Sequence, residues 1–195
     1  MNRSRLMLIA AGMLACAPFA VPGCATRSSG PYAPVDEARR DTRKAERLNH
    51  EAAPLIHSDP QRAEKLLREA LTADLYFGPA HNNLGAVYLG QGRLYEAAGE
   101  FEWACKLMPG HPDPRLNLAL VLEKAGRMDE ALETYATALE AYPGHIPTVQ
   151  AIARLQVRSG RTDERTAEFL DEIALRGETE AWRSWARGQR LRLAP

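Results

Sequence analysis

A step of 34 residues runs through the middle of this chain and constrains its fold more than any other feature. Three ungapped segments, QGRLYEA (91–97), AGRMDEA (125–131) and SGRTDER (159–165), bring Gly92, Gly126 and Gly160 into register. Arg93, Arg127 and Arg161 follow at the same step, as do Glu96, Glu130 and Glu164. The step also carries Asn83 to Asn117, Leu84 to Leu118, Ala97 to Ala131, Phe101 to Tyr135 and Ala104 to Ala138. A fixed period of this length marks a stacked array, in which each unit buries its apolar face only against its neighbours.

Each unit reads as two helices. NNLGAVYL has apolar residues at helical spacing and stops at Gly92, a residue suited to a left-handed helix C-terminus. LYEAAGEFEWACKLM forms the second helix and ends at Pro109, which cannot continue it. NLALVLEK and DEALETYATALEAY repeat the scheme, stopped by Gly126 and Pro143. Small residues (Gly85 with Ala97, Ala119 with Ala131) let paired backbones approach, while Tyr88, Phe101, Leu122 and Tyr135 fill the space between pairs.

Leu84, Gly85, Tyr88, Ala97, Phe101, Ala104 and Pro109 resemble the signature positions of the tetratricopeptide repeat. The resemblance is specific over residues 78–145. It implies an all-α, right-handed superhelical α-solenoid of about three to four repeats. Residues 78–111 and 112–145 are then full repeats, flanked by degenerate ones at 36–77 and 146–179. In the first of these, Asp59-Pro60 predicts an N-cap with proline in the first turn, but His50 and Glu51 stand where Leu and Gly belong, and Pro54 interrupts. The last repeat puts Arg165 and Glu172 at positions usually held by Ala. Residues 180–195 supply a capping helix and tail, with Trp182, Trp185 and Ala186 on one face. That Trp pair has a second reading, as a surface for self-association.

The N-terminal residues have another character. Arg3 and Arg5 precede sixteen uncharged residues, Leu6 to Val21, interrupted by Pro18. The run is short for a membrane span, which needs about 20 apolar residues, and it reads as a secretory signal over 1–23. Val21-Pro22-Gly23-Cys24 resembles the lipobox of bacterial lipoproteins. That resemblance implies cleavage before Cys24 and acylation of its thiol, although Pro22 is not favoured in the motif. Met13-Leu14-Ala15-Cys16 is a weaker second candidate for the motif, and a plain signal-peptidase site, leaving Cys24 as a free thiol, is a further reading. With Ala25 rather than Asp after the cysteine, the resemblance implies an outer membrane facing the periplasm. Residues 24–35 are small, polar and proline-bearing, as in a tether. Once the signal is removed, Cys24 and Cys105 are the remaining cysteines, and with Cys24 acylated Cys105 has no partner within the chain for a disulfide.

Function is expected on the concave face, which in such repeats is lined by first helices. By resemblance the groove positions are Asn82, Asn83, Ala86, Leu89, Asn117, Leu120, Lys124, Gln150, Arg154 and Arg158. Asn83 and Asn117 share a repeat position, and a side-chain amide both donates and accepts, so it can pair with an extended peptide backbone. Simple solvation of a polar surface is the alternative. The cations used by repeats that clamp a chaperone's terminal carboxylate are missing, since the matching positions hold Leu48, Ala52, Asp113 and Asn117, or Asn82, Ala86, Pro147 and Ala151.

Other chemistry is not indicated. Lys+Arg and Asp+Glu balance at 25 each, so no basic excess points to nucleic acid. His111 and His145 recur in the turns between repeats, but no metal-ligand spacing accompanies them, and no metal or cofactor is implied. Nucleophile motifs and phosphate-cradling Gly loops are absent from the sequence. The expectation is a non-catalytic adaptor at the cell envelope, binding a segment of another envelope protein in its groove. The alternative is a structural lipoprotein that self-associates through the Trp182/Trp185 end.

Overall fold

The computed structural model describes residues 40–193, all within the unit Val35–Pro195. The expected signal segment, Cys24 and its tether lie outside the described residues. Among the described residues the chain forms nine α-helices and no strand: α1 (Thr42–Ala52), α2 (Pro60–Ala73), α3 (Gly78–Gly90), α4 (Leu94–Leu107), α5 (Pro112–Lys124), α6 (Met128–Ala141), α7 (Ile146–Ser159), α8 (Glu164–Arg176) and α9 (Glu180–Arg192). The most extensive packing joins α1 to α2, α3 to α4 and α5 to α6, with α7 against α8 and α9 along α8. The described chain is an all-α helical repeat solenoid.

The helix ends follow from the residues placed there. Asp59 caps α2 by accepting a hydrogen bond from the Arg62 N–H at 3.1 Å, and Pro60 opens the helix. Pro54, without an N–H to give, ends α1 at Ala52 and turns the chain through a short 3₁₀ segment, Ala53–Leu55. Gly92, Gly126 and Gly160 have φ of 77°, 80° and 69°, the left-handed region that a Cβ disfavours. With glycine there, the N–H of the following arginine reaches back to the carbonyl five residues earlier. Arg93 bonds Tyr88, Arg127 bonds Leu122 and Arg161 bonds Gln156, at 2.9, 2.9 and 3.0 Å. The arginines' repeat position is therefore read by the backbone. Their guanidinium groups pair with carboxylates: Arg93 with Glu96, Arg127 with Glu130 and Arg161 with Asp129.

The core depends on size matching between paired helices. A Cβ built on Gly85 would lie 2.7 Å from the ring of Phe101, which is itself fully buried. Phe101 thus takes the space that the missing side chain leaves on α3. At the next two steps Ala119 and Ala153 replace Gly85, and Tyr135 and Phe169 replace Phe101. Trp182, Trp185 and the fully buried Ala186 of α9 close the far end against the α5–α8 core, with the two indoles edge to face at 5.3 Å.

The other end is latched by Asp74, buried between α2 and α3. Its carboxylate accepts from Arg40 Nε at 2.9 Å, from Thr42 Oγ1 at 2.8 Å and from the Tyr76 N–H at 3.0 Å. Burial alone would raise its pKa, but these donors outweigh that and hold the carboxyl below its usual range.

Two outcomes are expected. Gly85→Val should cost about 2–3 kcal/mol in urea denaturation, because the Phe101 ring has no free volume to retreat into. Asp74→Asn should destabilise the fold at neutral pH. Since the folded carboxyl titrates lower than the unfolded one, near 4, its contribution is present above that value and fades as pH falls through the folded pKa. Denaturation midpoints of wild type and variant should therefore converge in acid, and parallel midpoints from pH 7 to pH 2 would remove the latch.

Candidate functional site

The helices that open each pair touch their successors, α1 with α3, α3 with α5 and α5 with α7, while the second helices stand further apart. The first helices thus lie on the inner side of the stack's curvature and form a continuous wall. Asn82 and Asn83 of α3 and Asn117 of α5 lie half-buried on it. Asn83 Nδ2 donates to Asn49 Oδ1 at 2.8 Å, and Asn117 Nδ2 donates to Asn82 Oδ1 at 3.0 Å. Four amides are thereby joined in two pairs across successive helices. One hydrogen of each donating amide is used, and the Asn83 and Asn117 oxygens remain as acceptors.

Asn49 is the member that sequence reasoning missed. It stands 34 residues before Asn83, at the same repeat position, so the period itself contained the signal. His50 and Glu51, which depart from the repeat pattern beside it, are exposed. The buried face of α1 is instead Ala45, Leu48 and Ala52.

Charge enters the wall at α5 and α7. Glu123 has a buried carboxylate, which accepts from the Tyr135 hydroxyl at 3.0 Å. Arg154 Nη2 lies 3.2 Å from each of its oxygens, and Arg158 Nη2 lies 3.0 Å from Oε1. Two of the expected groove cations therefore sit on an internal counter-ion that sequence reasoning did not single out. Burial pushes the Tyr135 phenol far above its usual range, and the neighbouring carboxylate adds to the shift, so the hydroxyl stays a donor. Lys124, next to Glu123, is exposed at the end of α5, whereas Gln150 is only 4% exposed and lies deeper than a groove surface requires.

The remaining candidates are accounted for locally. His111 caps α5 by accepting from the Asp113 N–H, and His145 lies 2.8 Å from Thr148 Oγ1. Among the described residues no group of three or more His, Cys, Asp or Glu is placed to hold a metal ion. Burial raises the Cys105 thiol above its usual pKa, which lowers its thiolate fraction. His81, buried and stacked on Trp103, donates from Nε2 to the Leu75 carbonyl and sets Nδ1 2.7 Å from Glu100, fastening α3 to α4. No helix of the described residues is long and apolar enough to cross a membrane.

Two family models, both described as tetratricopeptide repeat, match residues 57–112 and 88–155, together just over half of the chain. The chain belongs to the tetratricopeptide repeat family. Among solved structures, this tetratricopeptide repeat chain is similar to the first such domain of Spaghetti (RPAP3) bound to an HSP90 peptide, at 15% identity and a TM-score of 0.58, over 63% of this chain and 98% of that one. It is similar to MamA at 18% identity and 0.58, over 78% and 83%. An O-GlcNAc transferase mutant from Thermobaculum terrenum gives 23% and 0.62, over 69% of this chain but 26% of the transferase. At these identities the likeness is one of fold. No curated protein sequence matches this chain. The family and fold make the chain a protein-interaction scaffold in the general sense that these repeats serve.

Tyr135→Phe leaves Glu123 one donor short in a buried setting. It should lower stability by about 2 kcal/mol, the usual worth of a hydrogen bond to a charged group. Urea denaturation measures it, and an unchanged midpoint would show that Glu123 does not depend on the hydroxyl.

Proposed function

We propose that this protein is a non-catalytic adaptor of the bacterial cell envelope, tethered through lipid on Cys24, that holds an extended segment of a partner protein in its concave groove. The observation that carries the binding half is the paired asparagine wall of α1, α3 and α5, where Asn49, Asn82, Asn83 and Asn117 link up at 2.8 and 3.0 Å. Amides fixed in this way present acceptors at a regular step, a pattern suited to the N–H groups of an extended chain and indifferent to its sequence. The peptide held by the RPAP3 domain is a precedent for such an occupant in a related fold.

The location rests on the N-terminal residues alone. Two or more acyl chains on Cys24 would hold the protein stably at a membrane, because one chain gives only marginal binding. Ala25 favours the outer membrane, with the repeats reaching the periplasm on the tether of residues 24–35.

Crosslinking in cells followed by capture of the tagged chain tests both halves. Wild type should yield a dominant envelope protein, the Asn83→Ala, Asn117→Ala form should lose it, and Cys24→Ser should leave the membrane fraction. A partner retained by the double variant would discard the asparagine wall, and recovery of only a second copy of the chain would favour self-association through Trp182 and Trp185. An unmodified Cys24 in the mature protein by mass spectrometry would end the lipid reading.

A further inference from the structure

Hydrogen-bonding capacity is out of balance at one end of the groove. Gln150, Arg154 and Arg158 follow one another at four-residue spacing on α7 and so share a face. Their side-chain nitrogens are all donors. The acceptor among them is Glu123, whose carboxylate is already met by Tyr135, by Arg154 at both oxygens and by Arg158. That fills the roughly four lone-pair positions a carboxylate has. Gln150 Nε2 and Arg154 Nε are nevertheless buried with no acceptor. Two guanidinium charges face one carboxylate. What this stripe lacks is a further acceptor bearing negative charge.

Position supports the same conclusion. The side chains of Arg154 and Arg158 are 41% and 52% exposed, while that of Glu123 is 5% exposed. The carboxylate lies deeper than the two arginines and holds each by its Nη2 atom. A guanidinium held in this way loses little rotamer freedom on meeting a ligand.

Resting on the groove reading above, we propose that the α5–α7 end of the groove is a subsite for the side-chain carboxylate of an acidic residue in the bound segment. Arg158 supplies the principal contact, the partly exposed Arg154 supports it, and Glu123 is the positioning residue that orients both arginines. The asparagine wall holds the backbone of the segment, and this subsite selects for an acidic residue near one end of it.

The test is fluorescence anisotropy on the full chain, with a short C-terminally amidated peptide alternating Ala and Glu, beside its Ala-Gln counterpart. The acidic peptide should bind about tenfold more tightly, the effect of a well-placed charge-assisted contact. Arg158→Gln, half-exposed and checked for folding by its thermal melt, should bring the two peptides level, and Arg158→Lys should restore part of the preference. Equal binding of both peptides to wild type, failure of the acidic peptide to bind, or a preference that survives Arg158→Gln overturns the subsite. The Asn83→Ala, Asn117→Ala form separates the two readings. It should weaken both peptides alike and keep their ratio. If both bind wild type equally and both are lost in that form, the groove stands without the subsite. If it binds as wild type does and the acidic preference persists, the subsite stands without the asparagine wall.

Discussion

The contact between a large ring on one helix and a minimal side chain on its partner governs this molecule. Phe101 lies against Gly85, leaving no room for even a Cβ, and Ala119 and Ala153 hold the equivalent small positions opposite Tyr135 and Phe169. A helix pair locked in this way still presents an apolar flank, since one ring fills the space within the pair but does not cover its side. Stacking is the remaining way to take that surface out of water. The buried residues accordingly form two clusters, one over α1–α4 and one over α5–α9, with α5 contributing Val121 to the first and Ala119 to the second. The helix that joins the clusters also carries Glu123 and Asn117. The mechanical centre of the stack and the start of its charged inner face therefore coincide.

Much of this was legible in the sequence because a repeat states each rule more than once. The glycine stops, the proline breaks and the large-small pairing all recur at 34 residues, and each has a local cause that needs no knowledge of the fold. What escaped depended on partners distant in sequence. Glu123 sits beside Lys124 near a helix end and reads as solvated surface. Its burial follows from Arg154, 31 residues on, and from Tyr135 on the paired helix. Arg154 and Arg158 stand on α7, but nothing near them in sequence announces the counter-ion they share. Asn49 was within reach of the period, beside two exposed neighbours that depart from the repeat pattern.

The arginines after Gly92, Gly126 and Gly160 give a further lesson in what a recurring residue means. The recurring backbone geometry would be met by other residues, since it uses only the N–H. The side chain adds something separate, a pairing with an acidic residue, and only two of the three choose the same partner position: Glu96 and Glu130, but Asp129 for Arg161. Exposed pairs of this kind contribute modestly to stability. Recurrence in the sequence thus marks the turn more faithfully than it marks the ion pair.

In the proposed reading, paired amides from α1 to α5 and the charged residues of α5 and α7 divide two tasks that a single chemistry performs poorly. Paired amides hold a backbone without regard to its sequence, because their acceptors meet groups that every residue offers except proline. Fixed guanidinium groups discriminate, because an ion pair with a side-chain carboxylate is available to acidic residues alone. In the proposed reading, the two stand in series along one groove, the first setting the direction and extension of the bound segment and the second reading one of its residues. Discrimination then depends on spacing as much as on charge. On that reading, an acidic residue at the wrong distance from the backbone held at Asn83 and Asn117 reaches solvent, not Arg158. The rigidity imposed by the ring-on-glycine packing is what keeps that distance fixed.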